Sequence, residues 1–328
     1  MSTSPPISRE LGQHEVVRRV RQAIRSADVP ADASIVAAVS GGRDSMALML
    51  ALAGLLERVV IAHVHHHRRS ESDAELELVR EAAAHFGLTF ECRHLDGDPS
   101  ATSADLRKAR YAALIDIARS HDATLIATGH QAEDQLESVL LAMIRGAGVR
   151  GLVGMRMRRS LCDGIDLFRP MLEVSRAAAK DLCEHAGVRW CDDPTNVDPA
   201  TPRGMLRSEV MPALESLRSG AAQRMSEATP LRQAAADALD AAVTRPVDGQ
   251  WSRAALATTS EGLRRASIHA ASIALCSGSD SMSSECIRDA SEAIIDDRQH
   301  RRTFELGGGV VCIVEACSVR LARAEIEI

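Results

Sequence analysis

Aromatic side chains are nearly missing from this chain: Phe, Trp and Tyr make up 2% of its 328 residues, and Tyr111 is the sole tyrosine. A protein that stacks bases on aromatic platforms is therefore a poor match. Lysine is almost as scarce. Every basic residue except Lys108 and Lys180 is an arginine, the side chain suited to planar, bidentate phosphate contacts. The net charge of −6 excludes a general nucleic-acid binder working by bulk positive charge, so any RNA contact must come from local arginine patches. None of the eight cysteines belongs to a Cys-x-x-Cys pair. A disulfide framework or a compact zinc or iron–sulfur centre thus has no sequence support, and buried free thiols are the plain reading. No apolar run reaches the roughly 18 residues needed to span a bilayer. Residues 1–13 are polar, with Pro5-Pro6 and no apolar centre of a signal peptide. A cytoplasmic protein with no membrane contact is expected. Its length and its 45% hydrophobic content suit two domains with separate cores.

What the chain does have is Ser40-Gly41-Gly42-Arg43-Asp44-Ser45, set between the apolar run of residues 34–39 and the apolar residues 46–52. The first run reads as a buried strand and the second as a helix. A glycine pair between them allows a sharp turn and a close approach of backbone N–H groups to a ligand. The helix that follows adds its positive end and its unsatisfied N–H groups, which together make an anion site. Ser40 and Ser45 contribute hydroxyls, and Asp44 a carboxylate able to hold a metal ion. A Walker-type loop would carry Gly-Lys-Ser or Gly-Lys-Thr here, and this loop has no lysine. Two glycines alone could be a mere tight connection. The full string at a strand-to-helix turn is more specific, and resembles the pyrophosphate loop of N-type ATP pyrophosphatases, which split ATP into AMP and pyrophosphate while adenylating a substrate.

Apolar runs at 59–64, 89–95, 123–128 and 165–168 read as further strands, with a last one at 188–190. Helical spacing recurs at 15–26, 73–86, 103–119, 132–145 and 175–186, with Ser103 as the expected N-cap of the third. Strands alternating with helices predict a doubly wound α/β fold with a parallel sheet. Ligands of such sheets bind beyond the C-terminal strand ends. Residues 40–45, 63–69 and 128–134 all fall there. Near 217–229 the alternation stops at a small, polar linker. Alanine-rich helices follow at 230–243, 252–258, 261–276 and 283–296, then two or three short strands within 302–328.

In Thr128-Gly129-His130-Gln131-Ala132-Glu133-Asp134-Gln135-Leu136-Glu137, His130 and Asp134 lie four apart at a helix start and share a face. Histidine suits a phosphate oxygen; a carboxylate suits Mg²⁺ or an amine. The plain alternative is that the acids are favourable helix N-terminal charges, Glu133 above all. His63, His65 and His67 alternate along an extended segment and could converge on a metal. With no carboxylate or thiol beside them, a polar strand end facing nucleotide is preferred to zinc. Arg107 and Arg110 share a helix face; taken alone they read as solvated surface, and a phosphate or RNA contact is the functional option. Asp193-Pro194-Thr195-Asn196 is turn chemistry, and Arg203 and Arg207 sit four apart on the helix that follows.

The ordered series of motifs from residue 35 to 214 resembles the tRNA(Ile)-lysidine synthetase family. It includes the Ser40 loop, His63 to Arg69, Arg107 to Tyr111, Thr128 to Glu137, Arg145-Gly146-Ala147-Gly148, Arg169-Pro170-Met171-Leu172 and the stretch from Asp193 to Leu214. The resemblance implies an N-terminal helical extension (1–32), a PP-loop ATP pyrophosphatase domain of adenine nucleotide alpha hydrolase type (33–216) and a helical/β tRNA-binding middle domain (217–328), without the further C-terminal domain of some members. It implies a ligase that adenylates C2 of the wobble cytidine of tRNA(Ile) with anticodon CAU and attaches L-lysine to form lysidine, using ATP and Mg²⁺. Carried over by position, Ser40, Gly41, Gly42, Arg43, Asp44, Ser45, His63 and Gly129 hold the nucleotide, and Asp44 and Asp134 the metal. Asp44, His130, Asp134, Arg107 and Arg207 serve the chemistry. Arg110, Arg203 and Arg207 face tRNA or lysine, and a homodimer stays open.

Three positions depart from the family pattern. His67 stands where a glycine is usual, Glu133 replaces the first of two aspartates, and Gly204 replaces an asparagine. The rival readings are another PP-loop tRNA-modifying adenylating enzyme, or a degenerate nucleotide-binding regulatory protein. A cytidine thiolase would normally show Cys-x-x-Cys pairs, and a glutamine-dependent synthetase would need a glutaminase domain for which no residues remain.

Overall fold

The computed structural model describes residues 9–30, 32–65, 72–95, 102–191, 201–276 and 282–324. These form two compact units: one of the residues up to Leu141 together with Gly154–Thr229, the other of Ala142–Val153 and the chain from Pro230 onward.

In the first unit, short helix α1 (Arg9–Gln13) and α2 (Glu15–Ser26) lead to β1 (Ser34–Ala38) and α3 (Arg43–Ala53). Then come β2 (Arg58–His65), α4 (Ser72–His85), β3 (Thr89–His94), α5 (Ser103–Ser120), β4 (Leu125–Thr128) and α6 (Ala132–Ile144). An edge hairpin, β5 (Arg158–Cys162) and β6 (Ile165–Phe168), precedes α7 (Arg176–His185). The sheet order is β3-β2-β1-β4-β6-β5, parallel except for β5. Its residues alternate between two cores. Ile35, Ala37, Val59, Ile61, Leu125 and Ala127 pack with α2, α3 and α7, whereas Val36, Val60, Ala62, Ile126 and Leu167 pack with α5. Both faces are covered, as a parallel sheet requires. Helix α3 is apolar all round, and Ser45 to Leu52 are all buried, so it lies inside the layer rather than on it.

The order in which strands are added reverses at β1, whose neighbours are β2 on one side and β4 on the other. Such a switch point opens a crevice at the C-terminal strand ends. Because Ala38 pairs with Thr128, the segments that leave β1 and β4 emerge side by side.

Several local expectations change. Thr102, not Ser103, caps α5: its hydroxyl accepts the Asp105 N–H while Asp105 accepts the Thr102 N–H, a reciprocal box. Residues 188–190 form no strand; only Cys191 bridges, to Gly42. The stretch expected as a linker is folded onto the first unit. Ala222 of α10 (Ala221–Glu227) packs with Ala132 and Leu136, and Ser226 donates to the Leu172 carbonyl. The first unit therefore runs to Thr229 rather than ending at 216. Before it lie α8 (Pro202–Met205), a π-helical turn (Leu206–Val210) and α9 (Met211–Leu217). In the first unit, His14, Asp181 and His185 come close enough to hold an ion. However, His14 Nδ1 accepts the Val16 N–H at 3.2 Å, which leaves Nε2 as the protonated nitrogen donating to Asp181. That cluster is a helix cap tied to α7.

The second unit holds α11 (Thr229–Ala242) from Pro230 on, β7 (Gln250–Ser252), α12 (Arg253–Ala257), α13 (Glu261–Leu275) and α14 (Ser284–Ile295). An antiparallel sheet of order β7-β10-β9-β8 is completed by β8 (Arg302–Gly307), β9 (Val310–Val314) and β10 (Ser318–Arg323). Trp251, Leu256, Ile268, Ile287, Ile294, Leu306 and Val319 make its core. Its central polar feature is Arg253, 6% exposed. Its guanidinium donates to the carbonyls of Ile294 (2.9 Å), Arg298 (2.8 Å), Ala293 (3.0 Å) and Asp296 (2.6 Å), satisfying the orphan C-terminal carbonyls of α14. Replacing it by Arg253→Leu leaves the buried Ile294 carbonyl without this donor, while Arg302 still reaches that of Ala293. The expected outcome is a loss of about 3 kcal/mol, read as a lower urea midpoint by circular dichroism.

Candidate active site

The loop after β1 is stitched by its own serines. Ser45 Oγ donates to the Gly42 carbonyl at 2.8 Å and accepts the Ser40 N–H at 3.1 Å, while the two hydroxyls lie 3.2 Å apart. Gly41 has φ +91°, and a Cβ there would press on Glu75 at 3.3 Å, so the glycine is required twice over. Gly42 precedes the first turn of α3, whose N–H groups face beyond the strand ends. Arg43 and Asp44 sit at that turn, joined by an Nε–Oδ1 contact of 2.9 Å.

The second segment touches the first directly. A Cβ on Gly129 would lie 2.8 Å from the Asp44 carbonyl oxygen and 3.2 Å from the Ser45 nitrogen. Only glycine allows that approach. It brings His130 and Asp134 to the same crevice as Asp44. His130 Nδ1 is 2.8 Å from Thr128 Oγ1. Burial pushes the imidazole down to about 4; Asp134 opposes this, and Arg169, Arg110 and Arg107 add to it. At neutral pH His130 is therefore uncharged. Burial raises the Asp44 carboxyl, with Arg43 and Arg176 lowering it and Asp134 raising it further. Burial likewise raises Glu133, which accepts the Arg176 backbone N–H with both oxygens at 3.0 and 3.1 Å. Glu133 thus serves the start of α7 as well as the first turn of its own helix, where its carboxylate also meets its own N–H.

Sequence reasoning missed the partner of Asp134. Glu137, 2% exposed, lies one turn along α6. Arg176 Nη2 reaches Asp134 Oδ1 and Glu137 Oε1, each at 3.2 Å. Arg207 Nε binds Glu137 Oε1 at 2.6 Å and Nη2 binds Asp134 Oδ1 at 3.1 Å. Two carboxylates and two guanidiniums form one closed network. The Asp134-x-x-Glu137 spacing was the available signal; nothing in the sequence marked Arg176.

Arg203 and Arg207 part company. Arg203 is exposed on α8, whereas Arg207 lies in the π-helical turn and points to the acids. The wider π turn breaks the four-residue repeat that would have kept them on one face. Gly204 is buried and its N–H donates to Thr201 Oγ1 at 2.9 Å. His63 Nδ1 is 2.9 Å from the Val39 carbonyl. His65 is not without a carboxylate: Asp73 Oδ1 lies 3.3 Å from its Nε2. His67 and the stretch from Asp193 to Asn196 lie outside the described residues. Arg107 and Arg110 occupy the first turns of α5, against Tyr111.

Asp44 and Asp134 offer hard oxygen donors, and burial, with the Asp134 charge, raises the cost of ionising Asp44. That donor set fits a Mg²⁺ ion. Gly129→Ala forces the Asp44 backbone aside with no flexible side chain to yield. The expected result is about a tenfold loss in ATP affinity by titration calorimetry, with the circular dichroism spectrum kept.

Among the described residues no helix is long and apolar enough to cross a membrane. Residues 13–214 match the PP-loop domain family. The tRNA(Ile)-lysidine synthase of Salinispora arenicola is 38% identical over 243 residues, 71% of this chain and 73% of that protein. The enzyme of the same name from Novosphingobium aromaticivorans is 39% identical over 218 residues, 65% of this chain and 64% of its own. Among solved structures, a U34-tRNA thiolase from Methanococcus maripaludis superposes with a TM-score of 0.55 at 15% identity, covering 67% of this chain and 78% of the thiolase; that likeness speaks to the fold. The extent of shared sequence, on a fold that sets a PP-loop at its switch point, means that this chain belongs to the tRNA(Ile)-lysidine synthase family of enzymes.

Proposed function

We propose that the chain adenylates the C2 oxygen of the wobble cytidine in a tRNA(Ile) with anticodon CAU, and that free L-lysine then displaces AMP to give lysidine. The observation that carries this reading is the meeting, across Gly129, of a phosphate loop with the carboxylate pair of Asp134 and buried Glu137. In the first step the cytidine O2 bonds to the α-phosphorus of ATP, the α–β bridge breaks and pyrophosphate leaves. The residues from Ser40 to Ser45 and the N-terminus of α3 are built to hold that leaving group. In the second step the lysine ε-nitrogen bonds to C2, the C2–O bond breaks and AMP leaves. One ammonium proton must go to a base.

Asp134 and Glu137 suit the ammonium because they already hold two guanidiniums. A substrate cation would take the place of one. His130, uncharged and fixed by Thr128, offers a hydrogen bond instead of a charge. Asp44 and Asp134 would hold Mg²⁺, which when bound neutralises developing phosphate charge. The exposed Arg203 and Arg107, with the half-buried Arg110, are the arginines assigned to RNA.

Incubation with ATP, labelled lysine and unmodified tRNA should place label in the tRNA with release of AMP. ATP binding without lysine transfer overturns the reading. Asp44→Ala should lower AMP formation at least about a hundredfold while the chain stays folded; unaltered turnover in a folded variant would remove Asp44 from the metal site.

A further inference from the structure

Tyr111 is 8% exposed and sits at the centre of an arginine cluster. The Arg107 guanidinium carbon lies 5.1 Å from its ring centroid and that of Arg110 lies 5.4 Å away. Arg107 Nη2 also reaches the hydroxyl at 3.4 Å. The third member is Arg169, the residue that follows β6, only 4% exposed. Its Nη1 donates to the Arg156 carbonyl at 2.8 Å, while its Nε, like that of Arg110, is buried without a partner among the described residues. Burial lowers the Arg169 guanidinium's hold on its proton, with Tyr111 opposing and Arg159 and Arg107 adding to the shift.

Among the described residues no carboxylate pairs with Arg107, Arg110 or Arg169. That contrasts with Arg176 and Arg207, each bound to two acids. A buried guanidinium among like charges is costly, and an arriving anion removes that cost. The position fits a ligand. Arg169 stands at the C-terminal end of β6, beside the end of β4, where His130 feels all three guanidiniums. Arg107 and Arg110 come from the start of α5, which returns from the same edge of the sheet. Buried Arg169 and exposed Arg107 mark the inner and outer ends of the cluster.

We infer that Arg107, Arg110 and Arg169, organised on Tyr111, form a phosphate site next to His130, in which Arg169 is the fixed inner donor. It deepens the lysidine-forming reading and rests on it for the source of the phosphate, either the ATP chain or an RNA phosphodiester. Arginine forks match a phosphate in plane, and the aromatic face holds two of them in place.

The sole tyrosine makes the test direct, because ring-labelled tyrosine gives one signal from the full chain. That signal should move saturably on adding inorganic pyrophosphate, ATP, or an RNA hairpin with CAU in its loop. A shift with pyrophosphate and ATP assigns the site to the nucleotide; a shift with the hairpin alone assigns it to the RNA backbone. Arg107→Gln, on the surface, should lower the salt slope of binding for the active probe by about 1. Arg169→Lys should weaken that probe about tenfold, with an unchanged melting temperature showing that the fold survives. A tyrosine signal indifferent to all three probes overturns the site, and so do both variants binding every probe as the parent does. Lysine transfer with an indifferent Tyr111 would remove this site and leave the lysidine reading standing. A responding Tyr111 without lysine transfer would do the reverse.

Discussion

The Gly129 backbone lies against the carbonyl of Asp44 with no space for a methyl group between them. The contact follows from register: Ala38 pairs with Thr128, so the two chains leave adjacent parallel strands at the same height. One then turns through Gly41-Gly42 into α3, and the other through Gly129-His130 into α6. Two helix starts thereby converge on one crevice, each bringing unsatisfied N–H groups and a first-turn acid. Asp44 and Asp134 interact for this reason and no other. Any side chain at 129 would separate the phosphate loop from the carboxylates, and the chemistry would lose one of its halves.

The carboxylate pair in turn depends on charges drawn from distant parts of the sequence. Glu137 at 2% exposure would be untenable alone. Arg176, at the start of α7, and Arg207, in the π-helical turn, bind it from separate segments. Glu133 completes the arrangement by holding the Arg176 backbone, which fixes where that guanidinium begins. The balanced charge of two acids and two bases makes the network stable as it stands. It also makes it exchangeable, since one cation of similar reach can replace another without leaving a buried charge unmatched.

Much of this was legible from the pattern of residues. Alternating apolar runs and helical spacing gave the parallel sheet, and the Ser40 loop and the Gly129-His130 turn both fell at strand ends. What escaped was decided by tertiary contacts. Strand β5 reads Arg-Arg-Ser-Leu-Cys and is stabilised by pairing with β6 at the sheet edge, not by its own propensity. Residues 188–190 have strand-like composition, yet Val188 and Trp190 pack on the core without joining the sheet, and the one ladder contact beside them is the Gly42–Cys191 bridge. The polar stretch near 217–229 looks like a linker until Ala222 and Ser226 are seen packed on the first unit. Arg203 and Arg207, four apart, read as one helix face; a π turn, invisible to any four-residue rule, separates them.

Around His130 the charges are sorted by side. Asp134, Glu137, Arg176 and Arg207 form a compensated group, while Arg107, Arg110 and Arg169 form an uncompensated positive one. Burying Arg169 among like charges costs free energy that an arriving anion would offset. The two groups are thus complementary in what they can accept: the first can trade one cation for another, and the second can only gain an anion. A reaction that brings together a phosphate, an RNA and an amine needs both kinds of vacancy within reach of one neutral donor. His130, kept uncharged by burial and by the arginines, stands between them without favouring either charge.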